Sequence, residues 1–184
     1  EKLLPHFHIP LQSGSDKILQ LMKRKYLREV FAGRVNRIKE LMPDACIAAD
    51  VIVGFPGETD EDFNTTYTFI KNLDVTYLHV FTYSERPGTK ALQIDDKVDE
   101  REKRHRSKLL HELSEHKKDN FYRQQIGKTG QVLWESDNIM GFMHGFTGNY
   151  VKVRTAYDST LINKITRVKI VSVNNDETCE IEFV

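Results

Sequence analysis

Apolar residues along this chain change their spacing near residue 127. Upstream they fall in short runs and in stripes at helical intervals; downstream they alternate with polar residues. Phe7 to Leu11 is a short apolar run that ends in Gln12-Ser13-Gly14-Ser15-Asp16. Ser13 or Ser15 can cap the helix predicted next, because a hydroxyl oxygen satisfies a free amide at a helix start. Ile18, Leu19, Leu21 and Met22 then recur at helical spacing. A second helix is expected from Glu29 to Met42, stopped by Pro43-Asp44. Ala45 to Val53 is almost continuously apolar, with Asp50 as its interruption. Such a strand is expected to be buried on both faces, as in a parallel sheet covered by helices. The turn Gly54-Phe55-Pro56-Gly57-Glu58 leads to Thr59, the expected cap of a helix with Asp60, Glu61 and Asp62 in its first turn. Tyr77 to Tyr83 reads as a third strand, and Ser84 to Thr89 as a loop. Strands alternating with helices imply an α/β fold with parallel strands and right-handed crossovers.

Asp99 to Gln125 is expected to be one long charged helix with a narrow stripe of Leu109, Leu110, Leu113, Phe121 and Tyr122. Between Arg101 and Lys128 nine Lys or Arg face four Asp or Glu. The segment is either a solvated amphipathic helix or a basic face beside a polyanion. Beyond it, Gly130–Glu135, Asn138–Gly145, Asn149–Thr155, Lys164–Val173 and Thr178–Val184 read as strands. Ser136-Asp137, Phe146-Thr147-Gly148 and Asn174-Asn175-Asp176 are the expected turns. Five short strands predict a small closed barrel of the kind that binds nucleic acid. The domain boundary is placed at 126/127, giving domains 1–126 and 127–184.

Composition narrows the classes. The 184 residues allow one large domain or two small ones. Lys plus Arg and Asp plus Glu are both 27, which excludes a globally basic nucleic-acid binder but not a local basic face. No apolar run approaches the ~18 residues of a membrane span. The chain begins at Glu1 without a charged-then-apolar leader, so a piece of a longer protein without a signal peptide is expected. Cys46 and Cys179 sit in apolar surroundings and read as buried free thiols of a reducing compartment, the cytoplasm.

Parallel α/β folds place their chemistry at the carboxyl ends of strands. Here those ends carry Gln12-Ser13-Gly14, Gly54 to Glu58, and Tyr83 to Arg86. Glycines at two of them let backbone approach a ligand. Asp50, inside a buried strand, needs a partner or a ligand. His6 and His8 share one strand face, as metal ligands or as hydrogen-bonded histidines. The Gly54 turn is no phosphate loop, because the Lys-Ser/Thr ending is missing.

Three segments resemble the radical S-adenosylmethionine methylthiotransferases. They are His8 to Asp16 with Met22-Lys23-Arg24, Asp50 to Thr59 with Asp62-Phe63, and Phe81 to Ala91. The tail is similar to the TRAM domain, an RNA-binding barrel. The resemblance implies a partial parallel (β/α) barrel, the carboxyl-terminal half of a radical SAM domain, followed by a five-stranded TRAM barrel. Tyr77 to Ser84, Leu113-Ser114-Glu115 and Gly148 to Val151 are most similar to the branch that adds a methylthio group to C2 of N6-threonylcarbamoyladenosine, at position 37 of tRNA. A ribosomal-protein aspartate is the alternative substrate, and a plain RNA-binding module the reading from another class.

The resemblance implies cofactor-binding roles for Gln12, Ser13, Gly14, Arg24, Asp50, Gly54 and Glu58. Arg86 is placed on the substrate side. The alternative roles are that Arg24 closes a helix and that Arg86 braces its loop. The family's cofactors are S-adenosylmethionine and two four-iron four-sulfur clusters. Cluster ligation needs three or four convergent cysteines, which two cannot supply, so no catalytic or metal residue is expected here and the piece alone should be inactive. tRNA, through its anticodon loop, is the expected partner, while the sulfur donor is unknown. Bare strand edges where the barrel is incomplete could drive self-association.

In the tail, Trp134, Phe142, Phe146 and Tyr150 interleave with His144, Lys152 and Arg154. Exposed rings could stack on bases while cations meet phosphates. Trp134 and Phe142 are expected in the core. Residues 129–184 hold five Lys or Arg against seven acids, so the RNA face is expected to add Arg123 and Lys128 to Tyr150, Lys152 and Arg154.

Overall fold

The computed structural model describes residues 3–184. They divide into two compact units, residues 7–117 and residues 3–6 with 118–184. The division between the units falls inside the long helix.

In residues 7–117, β1 (His6–Gln12), β2 (Cys46–Val53) and β3 (Tyr77–Thr82) form a parallel sheet in the order β1-β2-β3. The β2–β3 register runs from Ala48↔Tyr77 to Val53↔Thr82. The helices are α1 (Asp16–Leu21), α2 (Arg28–Leu41), α3 (Asp60–Asn72) and α4 (Glu100–Arg123). Their starts follow from local chemistry. Ser15 Oγ accepts the Ile18 amide at the head of α1, and Thr59 with Asp62 forms a reciprocal capping box on α3, worth about 1 kcal/mol. Leu27 cannot cap α2, so Asp16 Oδ1 accepts the Arg28 amide at 2.8 Å instead.

The core brings Leu11, Ile47, Ala49, Val51, Val53 and Leu78 of the sheet against Phe31, Val35, Phe63, Ile70, Leu110 and Leu113 of the helices. These strand residues share one face, because successive side chains alternate across a strand. The first half of β2 is buried on its other face as well, at Cys46 and Ala48, as its apolar run predicts. On the other face Asp50 and Ile52 are half-buried, and Phe81 is 53% exposed.

Helix α4 is tied to this layer by polar side chains as well as by its leucines. Ser114 Oγ accepts the Leu78 amide at 2.8 Å on the outer edge of β3. Lys117 Nζ donates to the carbonyls of Lys71 (3.2 Å) and Leu73 (2.7 Å), the last turn of α3. Burial lowers the Lys117 pKa, and the Asp74 charge opposes that shift.

In residues 118–184, β4 (Thr129–Trp134), β5 (Phe142–Thr147), β6 (Lys152–Ala156), β7 (Ile165–Val173) and β8 (Cys179–Phe183) close a barrel in the order β4-β5-β6-β8-β7. Every pairing is antiparallel except β6 with β8. Val132, Trp134, Met143, Val153, Val168 and Cys179 are fully buried. The Trp134 indole donates to Thr166 Oγ1 at 2.7 Å. Gly145 is required here: a Cβ would lie 2.5 Å from Val132 Cγ1 and 2.7 Å from the Leu133 carbonyl.

The expectations for the tail need three corrections. Residues 138–141 form a turn with a single Ile139↔Phe142 bridge, so β5 starts at Phe142. Phe146 and Thr147 belong to β5 rather than to a turn. Phe142 lies outside the barrel at 38% exposure, because the inward positions of β5 are Met143, Gly145 and Thr147.

Candidate functional site

The carboxyl ends of β1 and β2 turn differently from what their glycines suggest. Gln12 ends β1 with φ 73° and is buried; its Oε1 accepts Arg24 Nη2 at 2.8 Å. Ser13 is fully buried and meets Thr66 Oγ1 at 3.1 Å, the same atom that accepts the Gly14 amide at 3.1 Å. A Cβ on Gly14 would lie 2.8 Å from Thr66 Cα, and one on Gly54 would lie 2.3 Å from Lys103 Cγ. Both glycines make room for protein. Gly54 has φ +74°, a conformation side chains rarely adopt.

Glu58 is held with the turn it ends. Its side chain is 1% exposed, and Oε2 accepts the Gly54 amide at 2.7 Å and Arg106 Nη1 at 2.8 Å. Burial pushes the Glu58 carboxyl up, while the Gly54 amide and Arg106 pull against that shift. Arg106 comes from α4 and was not among the residues expected at the site. It read as one more charge on a solvated helix, yet it is 3% exposed.

The face of the sheet opposite the main core carries the remaining polar groups. His8 Nε2 lies 2.5 Å from Asp50 Oδ1. Asp50 is in register with His79, whose ring centroid is 4.6 Å from that of His8. The three strands thus place His8, Asp50 and His79 in one row. Arg24 is exposed at the edge of this face through its bond to Gln12. The Tyr26 hydroxyl donates to the Pro10 carbonyl at 2.9 Å. Its pKa is raised by burial first, against the Arg24 charge and with that of Asp50. Beyond β3, Tyr83 packs edge-on against Phe55 at 5.1 Å, and its hydroxyl is buried without a hydrogen-bond partner among the described residues. Arg86 lies exposed in the loop that follows.

No group of three or more His, Cys, Asp or Glu among the described residues is arranged to hold a metal. Cys46 and Cys179 are both buried, and burial pushes the Cys179 thiol up to about 12. No helix of the described residues is long and apolar enough to cross a membrane.

On the barrel, β5 and β6 pair Phe142 with Ala156, His144 with Arg154, and Phe146 with Lys152 on the outer face. Arg154 is engaged by Glu180 and Asp176, both at 2.7 Å, and its guanidinium lies 4.9 Å from the Phe142 ring centre. His144 is buried beneath Asp137, which accepts its amide at 3.0 Å and meets its Nδ1. Tyr150 stands in a column of rings between His6 and Phe146. The Lys152 amide donates to the Tyr122 hydroxyl at 3.1 Å. Arg123 is paired with Asp119 at 2.7 Å within α4, and Lys128 is exposed between α4 and β4.

Comparison with known proteins finds similar sequences. Residues 1–70 match the model of the Radical SAM superfamily. The chain is 43% identical over 171 residues to the threonylcarbamoyladenosine tRNA methylthiotransferase of Aquifex aeolicus, a match that covers 92% of the chain and 40% of that protein. It is 40% identical to the threonylcarbamoyladenosine tRNA methylthiotransferase of Bacillus subtilis, over 92% of the chain and 39% of that protein. It is 36% identical to the tRNA-2-methylthio-N(6)-dimethylallyladenosine synthase of Pelotomaculum thermopropionicum, over 92% and 38%. The chain spans about 40% of the length of the curated relatives it matches.

Proposed function

Because the chain belongs to the radical SAM methylthiotransferase family, we propose that it is the carboxyl-terminal part of an enzyme that methylthiolates tRNA at C2 of N6-threonylcarbamoyladenosine 37. The observation that carries this reading is the 43% identity to the Aquifex aeolicus enzyme across both compact units. The rim supports it with suitable polar groups. Arg24 offers a guanidinium to a carboxylate, Asp50 a carboxylate to an ammonium or to hydroxyls, and Tyr83 an unpartnered hydroxyl. These groups fit S-adenosylmethionine, which supplies the methyl group and the one-electron chemistry of the reaction when bound. The iron–sulfur clusters need cysteine thiolates beyond Cys46 and the protonated Cys179, so their ligands lie elsewhere in the whole enzyme.

The substrate is the anticodon loop of tRNA, and the barrel with the end of α4 contributes to its binding. Lys152, on the outer β5–β6 face, and Lys128 serve as phosphate contacts. Arg86, Arg123 and Arg154 complete the proposed face. Separated from the rest of its enzyme, the chain self-associates through the exposed edge of its sheet. A stable monomer in sedimentation, with that edge bare, counts against this last point.

Mass spectrometry of tRNA nucleosides from a deletion strain tests the activity. The 2-methylthio derivative of threonylcarbamoyladenosine should vanish while its precursor accumulates. An unchanged level overturns the reading, and loss of a methylthio group from a ribosomal protein instead points to the other branch.

A further inference from the structure

The tie between α4 and the Gly54 turn has a role of its own. Arg106 sits two turns into α4, and its guanidinium uses every edge. Nη1 donates to the Glu58 carbonyl at 3.1 Å and to Glu58 Oε2 at 2.8 Å. Nη2 donates to Asp60 Oδ1 at 2.6 Å, and Nε to Glu102 Oε1 at 2.9 Å. One face of the guanidinium lies 5.5 Å from the Phe63 ring centre. Glu58 Oε2 in turn receives the Gly54 amide at 2.7 Å. Gly54 directly follows the end of β2 and begins the rim, four residues beyond Asp50. Its backbone cannot relax toward α4, because the Lys103 side chain already fills the space of its missing Cβ.

A buried carboxylate that orders a turn works only while it accepts hydrogen bonds. A protonated Glu58 would turn one oxygen into a donor and accept the Gly54 amide more weakly. We propose that Arg106 is a positioning residue for the cofactor rim: by clamping the Glu58 carboxylate onto the Gly54 amide, it fixes the end of β2 against which the cofactor is bound. This inference rests on the reading of that rim as the S-adenosylmethionine site.

The groups that face Glu58 set its charge. Arg106, Glu102 and Lys103 come from α4, and Asp60 and Asp62 from α3. Lys17 of α1 reaches the Gly57 carbonyl and Asp62. Asp96 and Lys97 approach from the preceding loop, where the Asp96 carbonyl accepts the Gly57 amide at 2.7 Å. Arg106 is the one cation among them that hydrogen-bonds the Glu58 carboxylate within the described residues. Without it, burial and the nearby acids favour the protonated form.

The test uses the full-length enzyme with its clusters reconstituted, and measures S-adenosylmethionine dissociation constants by equilibrium dialysis from about pH 6 to pH 9. Wild type is expected to bind with little pH dependence in this range. Arg106→Gln should weaken binding roughly ten- to a hundredfold, as expected of a misplaced binding element, and more at low pH than at high. Glu58→Gln combined with Arg106→Gln should bind weakly and without the added loss at low pH, because the carboxyl at position 58 is no longer there to titrate. Arg106→Lys should recover part of the affinity. A folded Arg106→Gln enzyme with wild-type affinity at every pH overturns the inference. Where that variant does not fold, Arg106→Lys decides: unchanged affinity overturns the inference, and weakened affinity at unchanged melting temperature supports it. A wild-type enzyme that binds no S-adenosylmethionine overturns the reading of the rim itself, and with it this inference.

Discussion

The His6 imidazole lies flat on the Tyr150 phenol, with ring centroids 4.2 Å apart and planes 6° from parallel. Phe146 stacks on Tyr150 as well, at 4.8 Å and 20°. A ring between two near-parallel rings has no face left for a base. Tyr150 also holds φ 65° in the turn between β5 and β6, so its place in the column fixes an unusual backbone.

Tyr150→Phe should therefore leave both stability and tRNA affinity unchanged. Tyr150→Leu should lose the stacking and destabilise the chain by roughly 1–2 kcal/mol. Chemical denaturation and fluorescence anisotropy with tRNA check the pair. A Tyr150→Leu protein of full stability and weakened tRNA binding would show that the ring faces RNA after all.

Lys152 and Arg154 alternate on β6 and should behave differently toward RNA. Arg154 already bridges Glu180 and Asp176. Lys152 lies across from Phe146 on the outer face. Lys152→Ala should reduce the slope of log affinity against log salt by about 1, the signature of one lost phosphate contact. Arg154→Ala should change that slope less and instead loosen β6 from β8. Titrations with tRNA at several salt concentrations separate them, and equal slopes for the two variants would sink the distinction.

At the rim, Gly54→Ala puts a methyl 2.3 Å from Lys103 Cγ on a backbone with φ +74°. The conformational cost is about 1–2 kcal/mol and the overlap adds about 1–3 kcal/mol. Adding Lys103→Ala should relieve the overlap and leave the conformational part. Urea unfolding of the single and double variants measures both, and equal destabilisation in the two would remove Lys103 from the account.

Much of this architecture was legible because it is local. Ser15 and Thr59 announced their helices, since each caps an amide three residues ahead. The alternation of β4 put Trp134 inside the barrel, but β5 misled. Its strand begins four residues later than the alternation suggested, at Phe142, and its inward positions are Met143, Gly145 and Thr147, which leaves Phe142 outside. The rim was the least legible. The Glu58–Arg106 pair joins residues 48 apart, and nothing in the charge pattern of α4 separates Arg106 from its solvated neighbours. Gly14 and Gly54 looked like ligand cradles because spacing cannot say whether a ligand, Thr66 or Lys103 fills the room.

Asp62 ties α1 to α3 and should give the chain a measurable acid sensitivity. Burial alone would raise its pKa. Hydrogen bonds from Lys17 Nζ at 2.6 Å, the Thr59 amide at 3.1 Å, Ser15 Oγ at 2.8 Å and Thr59 Oγ1 at 2.8 Å override burial and hold it at about 2. The unfolded chain binds this proton near pH ~3.9. A depressed native pKa contributes stability that is fully present above the unfolded value and is lost as pH falls toward the native one. The contribution at neutral pH is about 2 kcal/mol. Asp62→Asn should thus be less stable than wild type by about that much at pH ~7, and the gap should close on acidification through about pH 4 to pH 2. Parallel urea unfolding of both proteins across this range is the measurement. A gap that stays constant down to pH ~2 would mean that packing and the capping geometry, rather than the charge of Asp62, hold α1 against α3.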